Sequence, residues 1–211
     1  MKTRLFFPFL ALWAGLAPAE PLVLIHGLGD RYGFFWGLAA PLFTKAGNPT
    51  FSFVYNREGE GMTVPSVARE LGLFLATNLR RGEQATLVCH SMGGLVAEHY
   101  LYFGPSPSNV RRVITLGTPW QGSRIAELAT ETAAFLEMEL QRIPFSDLMP
   151  ALDLRPGSDL ILSHLKARQT RAMPVPFEVV RGSGGSLASM KGDWLVTLVE
   201  GERSSVVHLR E

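Results

Sequence analysis

The 211-residue sequence holds a single cysteine, Cys89, so no disulfide can form within the chain whatever compartment it works in. Stability has to come from packing, and a 46% hydrophobic composition is enough for one domain with a real core. Excess charge of either sign is also missing. Twenty Lys and Arg stand against nineteen Asp and Glu, for a net +1 without long like-charge blocks, so nothing points to a nucleic-acid partner or an acidic substrate. The spacing of metal ligands in H-E-x-x-H is not found, nor is G-x-G-x-x-G or a Gly-Lys-Ser/Thr ending. The expectation is therefore no metal, no cofactor and no phosphate loop. Past the first nineteen residues, no apolar run is long enough to span a bilayer.

Those nineteen residues have a composition of their own. Met1 to Arg4 is a short basic head, Leu5 to Leu16 is almost wholly apolar, and Ala17-Pro18-Ala19 is small-x-small. This reads as a secretory signal peptide over 1–19, cut after Ala19, with 20–211 as one domain that is secreted or periplasmic. Within it, short apolar runs at Pro21–Ile25, Thr50–Tyr55, Ala85–Cys89 and Val110–Leu116 alternate with helical patterns at Tyr32–Ala46, Val64–Leu79 and Met92–Phe103. Pro41 is the expected break in the first helix. A short helix over Gly157–Leu165 and late strands at Pro176–Arg181 and Val206–Leu209 follow. Alternation of this kind predicts a parallel sheet with helices on both faces, and ligands collect at the carboxyl ends of its strands.

One strand end carries a chemical signal. In Cys89-His90-Ser91-Met92-Gly93-Gly94 a lone serine sits between a buried strand and a helix, among small residues that let the two elements approach. A serine on such a tight turn is presented as a nucleophile, and the helix N-terminus behind it offers N–H groups to a developing oxyanion. Cys89 stands where glycine is usual in G-x-S-x-G. A second oxyanion donor must come from another loop, and His26-Gly27-Leu28-Gly29 follows the first strand. The backbone amides of Leu28 and Met92 are the expected pair. His26, Gly27 and Trp120 are the expected pocket residues, although each also reads as a turn or core residue.

"PLVLIHGLGD", "LVCHSMGGLVAEHYL" and "VITLGTPWQGS", in that order, resemble the α/β-hydrolase family, most closely its secreted bacterial lipases and esterases. The resemblance covers roughly residues 21–200. It implies an α/β-hydrolase fold, compact with a small lid over the amphipathic stretch 126–140, and a Ser-Asp-His triad in that chain order with Ser91 as nucleophile. Gly192-Asp193-Trp194-Leu195-Val196 is similar to the segment that carries the acid in these lipases, which makes Asp193 the candidate; Asp153 and Asp159 are the alternatives and also read as loop or helix-cap carboxylates. Of the five histidines only His208 follows Asp193, closer to it than the family's pattern. Three readings stay open there: His208 is the base on a shortened end, the reading frame is altered before the true histidine, or the triad has been lost.

The expected function is that of a secreted serine hydrolase of lipid or short-acyl carboxylic esters. Its expected partners are a small-molecule ester or lipid substrate and a lipid interface, with no nucleic acid. The rival reading is a non-catalytic or truncated protein of the same fold that binds a lipid or acyl ligand.

Overall fold

The computed structural model describes residues 20–28, 30, 34–55, 62–105, 107–124, 126, 149–180 and 207–209, with 149–150 and 207–209 as backbone alone. The strands are β1 (Leu22–Ile25), β2 (Thr50–Phe53), β3 (Ala85–His90), β4 (Val110–Leu116), β5 (Phe177–Val180) and β6 (Val207–Leu209). They form one sheet in the order β2-β1-β3-β4-β5-β6. The first five are parallel, and β6 pairs antiparallel with β5. Register brings Ile25 beside Phe53 and Cys89, His90 beside Leu116, and Leu116 beside Val180. The carboxyl ends of β1, β3, β4 and β5 therefore share one edge.

The central strands β1 and β3 are buried along both sides because both faces of the sheet are covered there. On one face Val23, Ile25, Leu87, Cys89, Val113, Phe177 and Val179 build the larger core. The helices α2 (Val64–Asn78), α3 (Met92–Phe103), α4 (Met149–Asp153) and α5 (Asp159–Thr170) contribute to it. On the other face Leu22, Leu24 and Val88 meet Trp36 and, from α1 (Ala39–Lys45), the side chains of Ala39, Ala40 and Phe43. The period-two alternation of the strand residues decides which core each one enters. At about 1.5–3 kcal/mol per fully buried aliphatic side chain, these strands anchor the domain without a disulfide.

Helix ends follow local chemistry. Thr63 caps α2: its Oγ1 accepts the Ser66 N–H at 3.3 Å while Ser66 Oγ accepts the Thr63 N–H at 2.9 Å, with Pro65 in the first turn. Ser158 caps α5 through the Ile161 N–H. That helix runs on to Thr170, beyond the expected Leu165, because its later residues His164 and Ala167 remain buried. The expected break at Pro41 lies elsewhere. Pro41 is the third residue of α1, where its missing N–H is not needed, and the chain turns instead at Gly37, whose N–H bonds to Phe34 O at 2.9 Å. The expected lid stretch lies outside the described residues apart from Ala126. Among the described residues no helix is long and apolar enough to cross a membrane.

Candidate active site

At the carboxyl end of β3 the chain reverses into α3 through Ser91, whose φ of 51° and ψ of −123° make it the one described non-glycine residue with positive φ. Such a conformation costs of order 1–3 kcal/mol and persists because its surroundings fix it. The Ser91 N–H donates to Leu116 O of the next strand at 2.9 Å, and Ser91 O accepts the Gly94 N–H at 3.1 Å. Ser91 is 3% exposed, and among the described residues nothing hydrogen-bonds to its hydroxyl. This is the strained strand-to-helix turn that a nucleophile elbow requires.

The flanking glycines are needed for space. A Cβ on Gly93 would lie 2.7 Å from His26 O and 2.8 Å from Ile25 O, and one on Gly94 would overlap the Thr118 hydroxyl. Helix α3 thus presses its first turn against both the β1 loop and the β4 loop. Cys89, where a glycine is usual, is fully buried between Ile25 and Thr115, and burial pushes its thiol far up, so it acts as a small core residue.

The loop after β1 lies against the elbow. A Cβ on Gly27 would stand 2.8 Å from Ser91 Cβ and 3.4 Å from Ser91 Oγ. Leu28 follows the glycine that touches Ser91, and Met92 is the first residue of α3, where an N–H has no partner inside the helix. His26 is buried and its ring is engaged by the loop itself: Nδ1 lies 2.7 Å from Gly27 O, and Nε2 faces the Tyr55 N–H at 3.4 Å. Burial lowers its pKa, with the Gly27 carbonyl opposing, which favours the neutral ring. Tyr55, a residue that the sequence pattern did not single out, stacks on His26 at 4.0 Å and donates its hydroxyl to His26 O at 2.6 Å.

Aromatic residues wall one side. Asp30 accepts the N–H groups of Phe34 and Phe35, and this turn lays Phe35 on the His90 ring, next to Ser91, at 3.7 Å and 11°. Phe34 and Leu38, close to Phe35 in sequence, are largely exposed.

Trp120 lies deeper. Its ring meets Phe177 edge-on at 5.4 Å, and Phe177 pairs with Val113, three residues short of the edge where Ser91 sits. Arg168 covers the other side of the indole and donates to the Trp120 carbonyl at 3.0 Å. Trp120 is partly buried and packs against the larger core.

The two alternative acids are occupied at helix starts. Asp153 Oδ2 accepts the Val64 N–H at 2.6 Å, closing the N-terminus of α2, and Asp159 opens α5 after its Ser158 cap. Asp193 lies outside the described residues. His208 is in β6 opposite Glu178, and Glu178 pairs with Ile114, which pairs with Val88. Its backbone is therefore three strands from β3, about 14 Å at the usual strand spacing. This register does not bring His208 beside Ser91.

A second polar group, invisible to local sequence patterns, ties α3 to α5. Glu98, 1% exposed, takes a two-point contact from Arg168 at 2.6 and 2.7 Å and faces His164 Nδ1 at 2.7 Å, while His164 Nε2 faces His99 Nδ1 at 3.1 Å. Burial works against the Glu98 charge, but the bonds from Arg168 and His164 outweigh it and hold the carboxyl below its usual range. Glu98 is seven residues along α3 from Ser91, about 10 Å. The cluster ties α5 to α3, the helix that follows Ser91.

A model of the alpha/beta hydrolase family matches residues 22–205. No curated protein matches the sequence. Among solved structures the chain is similar to the mature form of the Bacillus licheniformis lipase BlEst2, with a TM-score of 0.60 and 23% identity, over 82% of this chain and 70% of that one. It is also similar to the phospholipase PlaB of Legionella pneumophila, with a TM-score of 0.57 and 19% identity over 78% of this chain. A third is the metagenomic carboxyl esterase MGS0156, with a TM-score of 0.54 and 19% identity over 77% of this chain. The chain spans 39% of PlaB and 50% of MGS0156. At these identities the structures speak for the fold. Together with the family match and the elbow at Ser91, they show that the chain belongs to the alpha/beta hydrolase family.

Proposed function

We propose that this hydrolase cleaves carboxylic esters through an acyl-enzyme on Ser91. The Ser91 oxygen attacks the ester carbonyl carbon as its proton passes to a base. The tetrahedral oxyanion forms against the Leu28 and Met92 amides, and the alcohol leaves with the proton; water then repeats the sequence on the acyl group. The observation that carries the reading is the positive φ of Ser91, held against Gly27 by the Leu116 carbonyl and the Gly94 N–H. The apolar ring of Phe35, stacked on His90 next to Ser91, favours an acyl ester, lipid or short-chain, and neighbours described as a lipase and a carboxyl esterase support that class.

As acid and base we assign Asp193 and His208, on the chain order that the resemblance implies. For His208 to serve Ser91, residues 207–209 must part from β5, since in register with Glu178 they lie three strands away. That same register favours the second reading, a protein of this fold that binds an acyl ligand without turning it over. The composition of residues 1–19 supports export with cleavage after Ala19. It would leave Glu20 first in the chain, held by the Thr86 hydroxyl and paired with Arg111 and Arg112.

Intact mass before and after a fluorophosphonate, with Ser91→Ala and His208→Ala alongside, separates these readings. One adduct lost in both variants supports the triad. An adduct that survives His208→Ala moves the base elsewhere, and no adduct on folded wild-type protein leaves the binding protein.

A further inference from the structure

Strand β1 ends at Ile25, so the two peptide groups that lead to Leu28 are not held by the sheet. Side chains hold them instead. His26 O accepts the Tyr55 hydroxyl at 2.6 Å, and Gly27 O is 2.7 Å from His26 Nδ1. A carbonyl can only accept, so Nδ1 carries the hydrogen; Nε2 then offers its lone pair to the Tyr55 N–H at 3.4 Å. One neutral tautomer satisfies both contacts.

The peptide bond joining Gly27 to Leu28 is trans, as there is no cis bond among the described residues. In a trans peptide the carbonyl and the N–H point in opposite directions. Fixing Gly27 O toward the imidazole therefore fixes the Leu28 N–H away from it, on a residue whose neighbour Gly27 already touches Ser91. Tyr55 braces the imidazole by stacking at 4.0 Å and 7°, and is itself 1% exposed. A phenylalanine would fill that ring volume equally well, so the hydroxyl calls for another explanation. We infer that Tyr55 and His26 act as a clamp that aims the Leu28 N–H into the oxyanion hole, making both of them positioning residues for the reaction; the inference rests on Ser91 being the nucleophile.

The test is Tyr55→Phe in the full-length protein, assayed with a p-nitrophenyl ester and a trifluoromethyl ketone that mimics the tetrahedral adduct. Loss of a hole donor typically lowers kcat by about 100-fold or more, and a donor kept but poorly aimed by about tenfold. The expected result is such a fall in kcat with KM within about twofold, matched by an equal weakening of the ketone. Tyr100→Phe is the control, since it also removes a buried tyrosine hydroxyl, bonded to Asn109 at 2.9 Å, and is expected to lower Tm while kcat stays unchanged. Should Tyr55→Phe not fold, His26→Gln is read in the same way. A Tyr55→Phe protein that loses Tm like the control but keeps its kcat overturns the clamp, as does a change in KM alone. Failure of the wild type to label at Ser91 with fluorophosphonate overturns the nucleophile reading itself. A labelled wild type with an unaffected variant overturns only the clamp.

Discussion

Gly27→Ala probes the contact between the loop after β1 and Ser91. The new Cβ would lie 2.8 Å from Ser91 Cβ, 0.6 Å inside the 3.4 Å at which ordinary contact begins. Ser91 cannot retreat, because its N–H is bonded to Leu116 O and its carbonyl to the Gly94 N–H. Overpacking of this kind costs about 1–3 kcal/mol. Gly27 is not in the left-handed region, so alanine also gains about 0.4–1 kcal/mol by restricting the unfolded chain. On central values the overlap wins by about 1.3 kcal/mol, so Tm should fall by roughly 3–5 °C at about 2–4 °C per kcal/mol. Displacing the hole by a fraction of an ångström to about 1 Å should lower the fluorophosphonate labelling rate by about tenfold to a hundredfold. Ser91→Gly supplies the internal check. It removes the obstructing Cβ and relaxes the positive φ, so it should stabilise by about 1–3 kcal/mol. In that background Gly27→Ala should become neutral or stabilising. Urea unfolding of the four proteins gives the cycle, and an equal cost of Gly27→Ala in both backgrounds would refute the reasoning without any assay of activity.

Arg168→Met should cost about 3–5 kcal/mol in urea unfolding, because it leaves the buried Glu98 carboxylate without its two-point partner; restoration of part of the loss by a further Glu98→Leu identifies the uncompensated charge as the cause. Asp153→Ala should cost about 1 kcal/mol through the lost bond to the α2 N-terminus and leave fluorophosphonate labelling at the wild-type rate. A large loss of labelling would instead make Asp153 the triad acid. His90 and His99 are both held down to about 4, each chiefly by burial. The unfolded chain therefore binds more protons between about 6.5 and 4, so stability is full above pH 6.5 and declines as the pH falls toward 4. A urea midpoint unchanged from pH 7 to pH 4.5 would contradict that sign, and His90→Gln should make the decline shallower.

Much of the site was legible because its signals are local. Ser91, Gly93 and Gly94 declare the elbow within four residues, and the apolar run before His26 declares the loop opposite. Thr63 and Pro65 announce α2, and its start is where they put it. Pro41 misled because proline disrupts a helix only beyond its first turn, and the true start of α1 was not marked by a capping side chain. Tyr55 looked like the end of a β-rich run, and its hydroxyl acquires meaning only against His26, twenty-nine residues earlier. Glu98 and His164 are sixty-six residues apart and form a pair only once α3 and α5 have packed. His208 fits a strand pattern as well as a catalytic one, and β6 follows the strand pattern.

The turn at Ser91 and the oxyanion hole proposed beside it are therefore products of the first 120 residues of the chain, whereas the assigned acid and base lie beyond residue 190. Among the described residues, the contacts that hold Ser91 and the loop after β1 run among β1, β3, β4, α3 and Tyr55. Preorganised donors act on the oxyanion whether or not a histidine takes the serine proton, which is why removal of a triad member leaves a residual rate about 10³–10⁴-fold above water. A His208→Ala protein with its elbow intact should accordingly bind the trifluoromethyl ketone more weakly but retain a measurable preference for it over the substrate ester. Loss of that preference on Tyr55→Phe, and its retention on His208→Ala, would show that the two halves of the chain supply separable parts of one site.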